Sequence, residues 1–227
     1  FNKALYNYLQ ADEWAERVGY KIPHFNYSTI PYNIALFYRK EGKYETSLSY
    51  LDKAIKYIKI ENGKYQDELY ALELKGINFR LLDKLDSALF YYDKALQIVE
   101  RYNDTENKSR IYYNQSLAYF TIKDYSFAKD KCLQAIEATH RNDSIALGHQ
   151  YLRLAEIYDK TNQIDSAFTS LYNSKNYLTA SHVNTQRHLY EILFQMEEKR
   201  GNIMKAEEFK KLYNYYKEQS ELPVNAE

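Results

Sequence analysis

The chain has very little of the residues that cross-link or interrupt a fold. Its 227 residues include one cysteine, three prolines and six glycines. A lone cysteine excludes an internal disulfide framework and any metal cluster built from several thiolates. So few prolines and glycines argue against a β-rich or loop-rich fold, which needs more turn residues than this. The composition therefore favours long helices joined by short turns.

Charge and hydropathy exclude further classes of protein. Lys+Arg and Asp+Glu both number 31, so the formal net charge is zero and the basic excess typical of nucleic-acid binders is missing. No apolar run exceeds five residues, as in Ala88–Tyr92, whereas a bilayer needs about 20. The 45% apolar content is ordinary for a folded, soluble chain. We expect neither nucleic-acid binding nor a transmembrane helix in this segment.

One spacing pattern recurs along the whole chain. A small residue is followed four positions later by a bulky one, and seven positions later by another residue that is usually small. The first members are separated by 43, 41, 40, 39 and 39 residues, and these offsets keep all three residues on one helical face. The six copies are Ala4-Tyr8-Ala11, Ser47-Leu51-Ala54, Ala88-Tyr92-Ala95, Ala128-Cys132-Ala135, Ala167-Leu171-Ser174 and, less well, Ala206-Lys210-Tyr213.

A second pattern precedes each of the last five copies. A small residue is followed three positions later by an aromatic one, and it lies 12 residues before the small residue of the next helix. The copies are Ala35-Tyr38, Gly76-Phe79, Ser116-Tyr119, Ala155-Tyr158 and the degenerate Phe194-Glu197. Short turn-prone segments separate the two patterns: Glu41-Gly42-Lys43, Asp83-Lys84, Lys123-Asp124, Thr161-Asn162-Gln163 and Arg200-Gly201-Asn202.

These patterns predict a row of antiparallel helix pairs. Small residues at a helix crossing let two backbones approach closely, and the aromatic residue fills the neighbouring gap. Tyr38, Tyr92, Tyr119 and Tyr158 are accordingly expected in the core. No single pair can bury its apolar face, so each pair must stack on the next. The alternative is an ordinary helical bundle whose alanine spacing is coincidental.

The two patterns together resemble the tetratricopeptide repeat, with good copies from Ile34 to Ala54 and from Leu72 to Ala95. The resemblance implies an all-α fold: a right-handed α-solenoid of antiparallel helix pairs with about 11 helices. The period of 39 to 43 residues exceeds the family's usual period of about 34, as in the lengthened repeats of kinesin light chains and bacterial peptide-sensing regulators. We expect a single domain over 1–227, in which 1–20 is the second helix of a truncated repeat and five repeats span 27–61, 64–102, 104–140, 142–179 and 183–220.

The resemblance also implies where a ligand binds. In this family the first helix of each pair lines a concave groove that binds a protein or peptide segment. Asn33 and Asn114 occupy a position at which peptide-binding members of the family use an Asn side chain to hydrogen-bond the ligand backbone. Arg side chains can form bidentate hydrogen bonds with a carboxylate. The family's complete two-carboxylate clamp is missing, so chaperone-tail binding is not implied. The predicted groove residues are Tyr32, Asn33, Leu36, Arg39, Arg80, Arg110, Tyr113, Asn114, Leu117, Phe120 and Arg153.

No catalytic constellation stands out. The chain has no Gly-rich phosphate loop, G-x-S-x-G or H-E-x-x-H motif. His182 and His188 are six residues apart, which is not the spacing of two metal ligands on one helix face, so both are interpreted as solvated or lightly packed. Cys132 falls on an inward position and is interpreted as a core residue. We therefore expect no enzyme activity, no cofactor and no metal.

Two functions fit a binding module of this kind. The first is the sensing or interaction region of a larger bacterial transcriptional regulator, because the stretch from Lys211 to Pro223 resembles the segment that leads from such repeats to a membrane helix and a DNA-binding domain. The alternative is a periplasmic lipoprotein scaffold for envelope assembly. An enzyme is the third hypothesis and would require a turnover that is lost on changing one groove residue. The compartment stays open, with the periplasm favoured over the cytoplasm.

Overall fold

The chain folds into α-helices. A computed structural model describes residues 2–19, 26–179 and 182–221, and these residues contain eleven helices and no strand. The helices are α1 (Asn2–Val18), α2 (Thr29–Lys40), α3 (Tyr44–Glu61), α4 (Tyr65–Leu81), α5 (Leu85–Arg101), α6 (Thr105–Thr121), α7 (Tyr125–Ala138), α8 (Ser144–Lys160), α9 (Ile164–Tyr177), α10 (Val183–Lys199) and α11 (Ile203–Glu221). The predicted all-α fold class of solenoid helix pairs is confirmed.

The helices form two compact units, Phe1–Ala118 and Tyr119–Glu227, whose boundary falls within α6. The single domain with five repeats stays a prediction. Phe1, Tyr20 and Pro223, which that prediction and the regulator analogy include, lie outside the described residues.

The five short turns share one geometry. In each turn one residue has the left-handed backbone conformation, with φ between 56° and 75°: Gly42, Asp83, Lys123, Asn162 and Gly201. The next N–H then donates to a carbonyl five residues back, as from Lys43 to Tyr38 at 2.8 Å, and Gly42 N–H donates to Arg39 at 3.0 Å. This pair of bonds is the Schellman motif, which satisfies the last carbonyls of a helix. The turn sequences therefore reverse the chain after α2, α4, α6, α8 and α10.

The small residues of the pattern are buried at the helix crossings. Ala35 and Ser47 have no exposed surface, and the Ser47 hydroxyl donates to the Ala35 carbonyl at 2.7 Å. The Asn78 amide donates to that same hydroxyl at 2.8 Å, so α2, α3 and α4 share one buried polar chain. At the ends of the pattern, Ala4 and Lys210 are exposed, because the helix face there has no partner of the same kind among the described residues.

The aromatic positions behave in two ways. Tyr92 is fully buried, and its ring covers Gly76 so closely that a β-carbon there would lie 2.4 Å from the ring Cε1 atom. Tyr38, Tyr119 and Tyr158 are half-buried and pack against the edges of core clusters. These residues lie near the ends of their helices, where rings stack on a neighbour at the surface, as Tyr38 does on Tyr50 at 5.6 Å.

Polar side chains link successive helix pairs in the first unit. Lys75 on α4 pairs with Asp52 on α3 at 2.5 Å, and Gln115 on α6 donates to Asp93 on α5 at 2.7 Å. Both acids lie five residues after a crossing residue, and both donors lie one residue before the next crossing residue. The repeat thus carries a polar contact between pairs as well as an apolar one.

Candidate functional site

The centre of the first candidate surface is a buried carboxylate. This surface, the α2–α4–α6 face, is formed by α2, α4 and the part of α6 up to Ala118. Glu73 on α4 is buried, and both its oxygens lie within hydrogen-bond distance of Arg110 Nε on α6, at 2.7 and 2.8 Å. Asn114 Nδ2 donates to the same carboxylate at 2.8 Å. Glu73 therefore brings together two of the predicted site residues and neutralises the charge of one.

The aromatic ring of Tyr70 also contacts the Arg110 guanidinium. The guanidinium carbon lies 5.1 Å from the centre of the Tyr70 ring. Burial lowers the pKa of Arg110, but the hydrogen bond and charge of Glu73 outweigh burial and raise it overall, so the guanidinium keeps its positive charge beside Glu73. Sequence analysis missed Tyr70, although Tyr70 and Arg110 both lie six residues before a crossing residue. The repeat register was the signal that pointed to their contact.

Tyr32 is a neutral hydrogen-bonding group on this face. It is half-buried and lines a small cavity of about 50 Å³ with Tyr70 and Asp67. Burial raises the pKa of Tyr32, and the nearby charge of Glu73 raises it further. The phenol therefore keeps its proton at neutral pH and can donate to a ligand.

The other predicted residues of α2 and α6 have different surroundings. Asn33 Nδ2 donates to the Tyr8 hydroxyl of α1 at 3.1 Å. Leu36 is half-buried and packs in a cluster with Ala35 and Leu74. Tyr113 and Leu117 on α6 are also half-buried.

Arg39 and Arg80 each carry a buried donor without an acceptor. Both lie four residues after a crossing residue, Arg39 on α2 and Arg80 on α4. In each, the Nε atom is buried and finds no hydrogen-bond acceptor among the residues that the structure describes. A buried N–H without an acceptor costs free energy, about 1–3 kcal/mol.

The second unit has its own candidate surface, the α8–α10 face, formed by α8, α10 and the end of α6 from Tyr119. The Arg153 guanidinium lies 4.6 Å from the centre of the Phe120 ring, and its Nη1 atom lies 2.8 Å from Glu156. His188 Nε2 on α10 lies 3.1 Å from the other Glu156 oxygen. The fold thus brings Phe120 and Arg153 together, and it adds His188, which the sequence analysis had interpreted as solvated or lightly packed.

A cavity of about 330 Å³ lies beside this cluster, and Phe120, Glu156 and His188 line it. Arg153 also has a buried Nε atom that meets no acceptor within the described part of the chain. The α8–α10 face therefore combines an aromatic platform, two cationic or titratable groups and a carboxylate. Such a mixture can bind polar and aromatic groups of a peptide.

Cys132 lies on α7, outside these two surfaces. Cys132 is buried, as expected for a core residue, and its sulfur lies 3.2 Å from the Gln150 carbonyl. Within the described residues, His, Cys, Asp and Glu side chains form no group of three or more that is placed to hold a metal ion. Across those same residues, every helix is too short or too polar to cross a membrane.

Comparisons with known proteins agree with the repeat pattern. Residues 27–101 match the family model of the tetratricopeptide repeat. A TPR repeat-containing protein of Methanocaldococcus jannaschii is 25% identical over 142 residues, which is 61% of this chain and 23% of that protein. The Hsp70-Hsp90 organising protein of Plasmodium falciparum is 30% identical over 157 residues, 66% of this chain and 26% of that protein. The chain thus spans about a quarter of the length of these relatives.

A solved structure extends the agreement to the whole fold. The crystal structure of BtubC (BKLC) from P. vanneervenii superposes with a TM-score of 0.81, covering 100% of this chain and 94% of that one, at 16% sequence identity. At that identity the likeness concerns the fold alone. With the family match, the two spacing patterns and the eleven helices of the described residues, it leads to one conclusion: residues 27–101 match the tetratricopeptide repeat family, and the chain has the helix-pair fold of such repeats.

Proposed function

We propose that the chain is a non-catalytic binding module whose α2–α4–α6 and α8–α10 faces bind a peptide or protein segment. Tetratricopeptide repeats imply a scaffold for protein–protein interaction, and the proposal goes further by naming the surface. The ligand would contact Tyr32, Leu36, Arg39 and Arg80 on the first face. Phe120 and Arg153 would play the same part on the second face.

The observation that carries the proposal is a pair of half-buried arginines, Arg39 and Arg80, which have no carboxylate partner within 4.0 Å among the described residues. Their Nε atoms are buried, so a ligand oxygen would bind the terminal nitrogen atoms of the guanidinium groups, which carry four of the five N–H donors. Leu36 beside Arg39 and Ile77 on α4 add half-buried apolar surface. Donors next to apolar surface suit an extended peptide, which offers a carbonyl and a side chain in alternation.

The proposed ligand is not a chaperone tail held by the family's two-carboxylate clamp. The chain lacks the full set of clamp residues, and Glu73 already accepts from Arg110 and Asn114. A ligand carboxylate at this point would compete with a buried carboxylate of the protein itself. Arg39 and Arg80, which meet no carboxylate among the described residues, are better placed to bind a ligand oxygen.

A selected peptide tests the proposed face. Peptides would be selected from a display library against the purified chain, and their affinities measured by fluorescence anisotropy. Replacing both Arg39 and Arg80 with alanine should weaken a selected peptide by about a hundredfold or more, because each hydrogen bond to a charged group contributes about 1.5–3 kcal/mol and about 1.4 kcal/mol is tenfold. Asn114→Ala should weaken it by about 1–3 kcal/mol if the ligand backbone pairs with this amide.

The matched control replaces Lys175 and Lys211 with alanine. Both are exposed lysines of the second unit, and changing them should leave the affinity unchanged. Equal loss of affinity in the control would mean that binding follows total charge. Unchanged affinity in the Arg39/Arg80 variant would reject the proposed face for that peptide.

We further propose that the module is the sensing or interaction region of a larger bacterial transcriptional regulator. The proposal rests on the resemblance of Lys211 to Pro223 to the segment that follows such repeats in regulators, and on the small share of the relatives' length that the chain spans. The complete open reading frame tests it. A membrane-spanning segment followed by a helix-turn-helix domain is expected downstream, whereas a cysteine directly after a signal peptide would identify a lipoprotein scaffold of the envelope instead.

A further inference from the structure

A larger cavity lies away from the proposed peptide-binding face. It has a volume of about 380 Å³ and lies between α3, α4 and α5 of the first unit. Helix α4 contributes Leu72 and Lys75 to its lining, whereas Glu73 and Arg80 belong to the α2–α4–α6 face. Successive residues of a helix point about 100° apart, so the same helix serves two separate surfaces.

Lys75 forms the floor of this cavity, and its positive charge is already paired within the protein. Lys75 is buried and its Nζ atom lies 2.5 Å from Asp52 and 4.3 Å from the centre of the Tyr91 ring. The carboxylate and the ring fix the Lys75 side chain and cancel most of its charge. The floor is therefore rigid and close to neutral, and Ile55 adds apolar surface to it.

The rim of the cavity is cationic. Lys59, Lys94 and Arg101 are exposed and line it, and the described residues offer none of them a carboxylate partner within 4.0 Å. Glu68 belongs to the same lining and has no cationic partner within 4.0 Å in the part of the chain that the structure describes. Three positive charges and one negative charge leave an excess of two positive charges, on a chain whose formal net charge is zero.

The spacing of these charges defines what fits. Lys94 and Arg101 are seven residues apart on α5, about 10.5 Å along the helix axis. A small anion cannot reach both, whereas a peptide with acidic residues several positions apart can. The apolar lining between the charges, from Leu72 and Ile98, suits an apolar side chain of the same peptide.

We infer that the cavity between α3, α4 and α5 is a second binding site, which takes an acidic segment of a partner protein. Carboxylates of the segment pair with Lys59, Lys94 and Arg101, and an apolar side chain between them packs on Leu72. Charge complementarity selects this occupant: an exposed basic rim steers an acidic segment and disfavours a basic one. The module would then hold two partners, or two parts of one partner, on different surfaces.

The test uses a synthetic acidic peptide with the complete chain. A fluorescein-labelled peptide of glutamates around two central leucines is titrated with protein, and its anisotropy is measured. The double substitution Lys94→Glu and Arg101→Glu should weaken binding about five- to thirtyfold, as expected for two partly exposed ion pairs. The control Lys175→Glu with Lys211→Glu makes the same change of net charge at exposed positions of the second unit and should bind like wild type.

Four further measurements decide the assignment. A peptide with glutamine in place of glutamate should bind more weakly to wild type, and Lys94→Gln with Arg101→Gln should weaken the acidic peptide even if the charge-reversed variant misfolds. Equal loss in the Lys175/Lys211 control, or equal competition by single-stranded DNA of the same charge, would overturn the inference as non-specific charge attraction. If only the Arg39/Arg80 variant lost binding of the acidic peptide, the peptide would bind to the α2–α4–α6 face instead.

If the Arg39/Arg80 variant kept binding and the Lys94/Arg101 variant lost it, the result would support a separate site, whether or not the proposed groove binds a peptide.

Discussion

Replacing Gly76 with alanine should destabilise the first unit, although alanine is the better helix former. Gly76 lies within α4, where a built β-carbon would come 2.4 Å from Tyr92 Cε1 and 2.6 Å from Cδ1. Contacts this short require the ring or the backbone to move. The Tyr92 ring has no exposed surface, so it has no free space to move into.

The magnitude follows from two opposing effects. Alanine in place of glycine within a helix stabilises by about 1 kcal/mol. Overpacking a well-packed core costs about 1–3 kcal/mol, and two ring atoms closer than 3 Å place Gly76→Ala near the upper end. We expect a net loss of about 1–2 kcal/mol in the free energy of unfolding.

Denaturant unfolding is the assay, with two signals. Far-ultraviolet circular dichroism reports all helices, and the fluorescence of Trp14, the chain's single tryptophan, reports α1 of the first unit. A double-mutant cycle with Tyr92→Leu isolates the contact, because a smaller side chain at 92 leaves room for the methyl group. In the Tyr92→Leu background, Gly76→Ala should become neutral or stabilising.

Two results would refute this reasoning. If Gly76→Ala stabilised the wild-type chain by the full 1 kcal/mol or so of helix propensity, the tight contact with Tyr92 would not exist in solution. If Gly76→Ala destabilised both backgrounds equally, the cost would come from another contact of the α4 backbone.

Two other predictions concern the same core. Ala88→Leu should lower the free energy of unfolding by about 1–3 kcal/mol, because Ala88 is fully buried at a helix crossing. Lys56→Leu, at an exposed position, should cause no such loss, and urea denaturation compares the two variants. If leucine at position 88 were fully tolerated, the crossing would be misplaced. Burial raises the pKa of Tyr92 to about 12 from a usual value of 10.0, although Arg80 nearby lowers it somewhat. Between pH 10 and 12 the unfolded chain therefore loses this proton before the folded chain does. The free energy of unfolding falls over this pH range, by up to about 2–3 kcal/mol. Tyr92→Phe removes that component, so the stability difference between the two proteins should change over this range and stay constant below pH 9.

The sequence by itself determined the helices, the turns and the rows of small residues. These follow from local rules: periodicity places Ala35 and Ser47 on apolar faces, and turn-prone residues such as Gly42 end a helix in the left-handed conformation. Because the pattern repeats at near-constant spacing, each copy supports the others. The fold class was therefore readable without coordinates.

Only the tertiary structure decided which polar groups meet. The predicted site set contained Arg110 and Asn114 but omitted Glu73, whose carboxylate holds both. The sequence likewise gave no sign that Arg39 Nε would stay without an acceptor, or that three basic side chains would gather around the cavity between α3, α4 and α5. A repeat register says which residues share a face, whereas the partner of a long charged side chain depends on distances across neighbouring helices that no spacing in the sequence records.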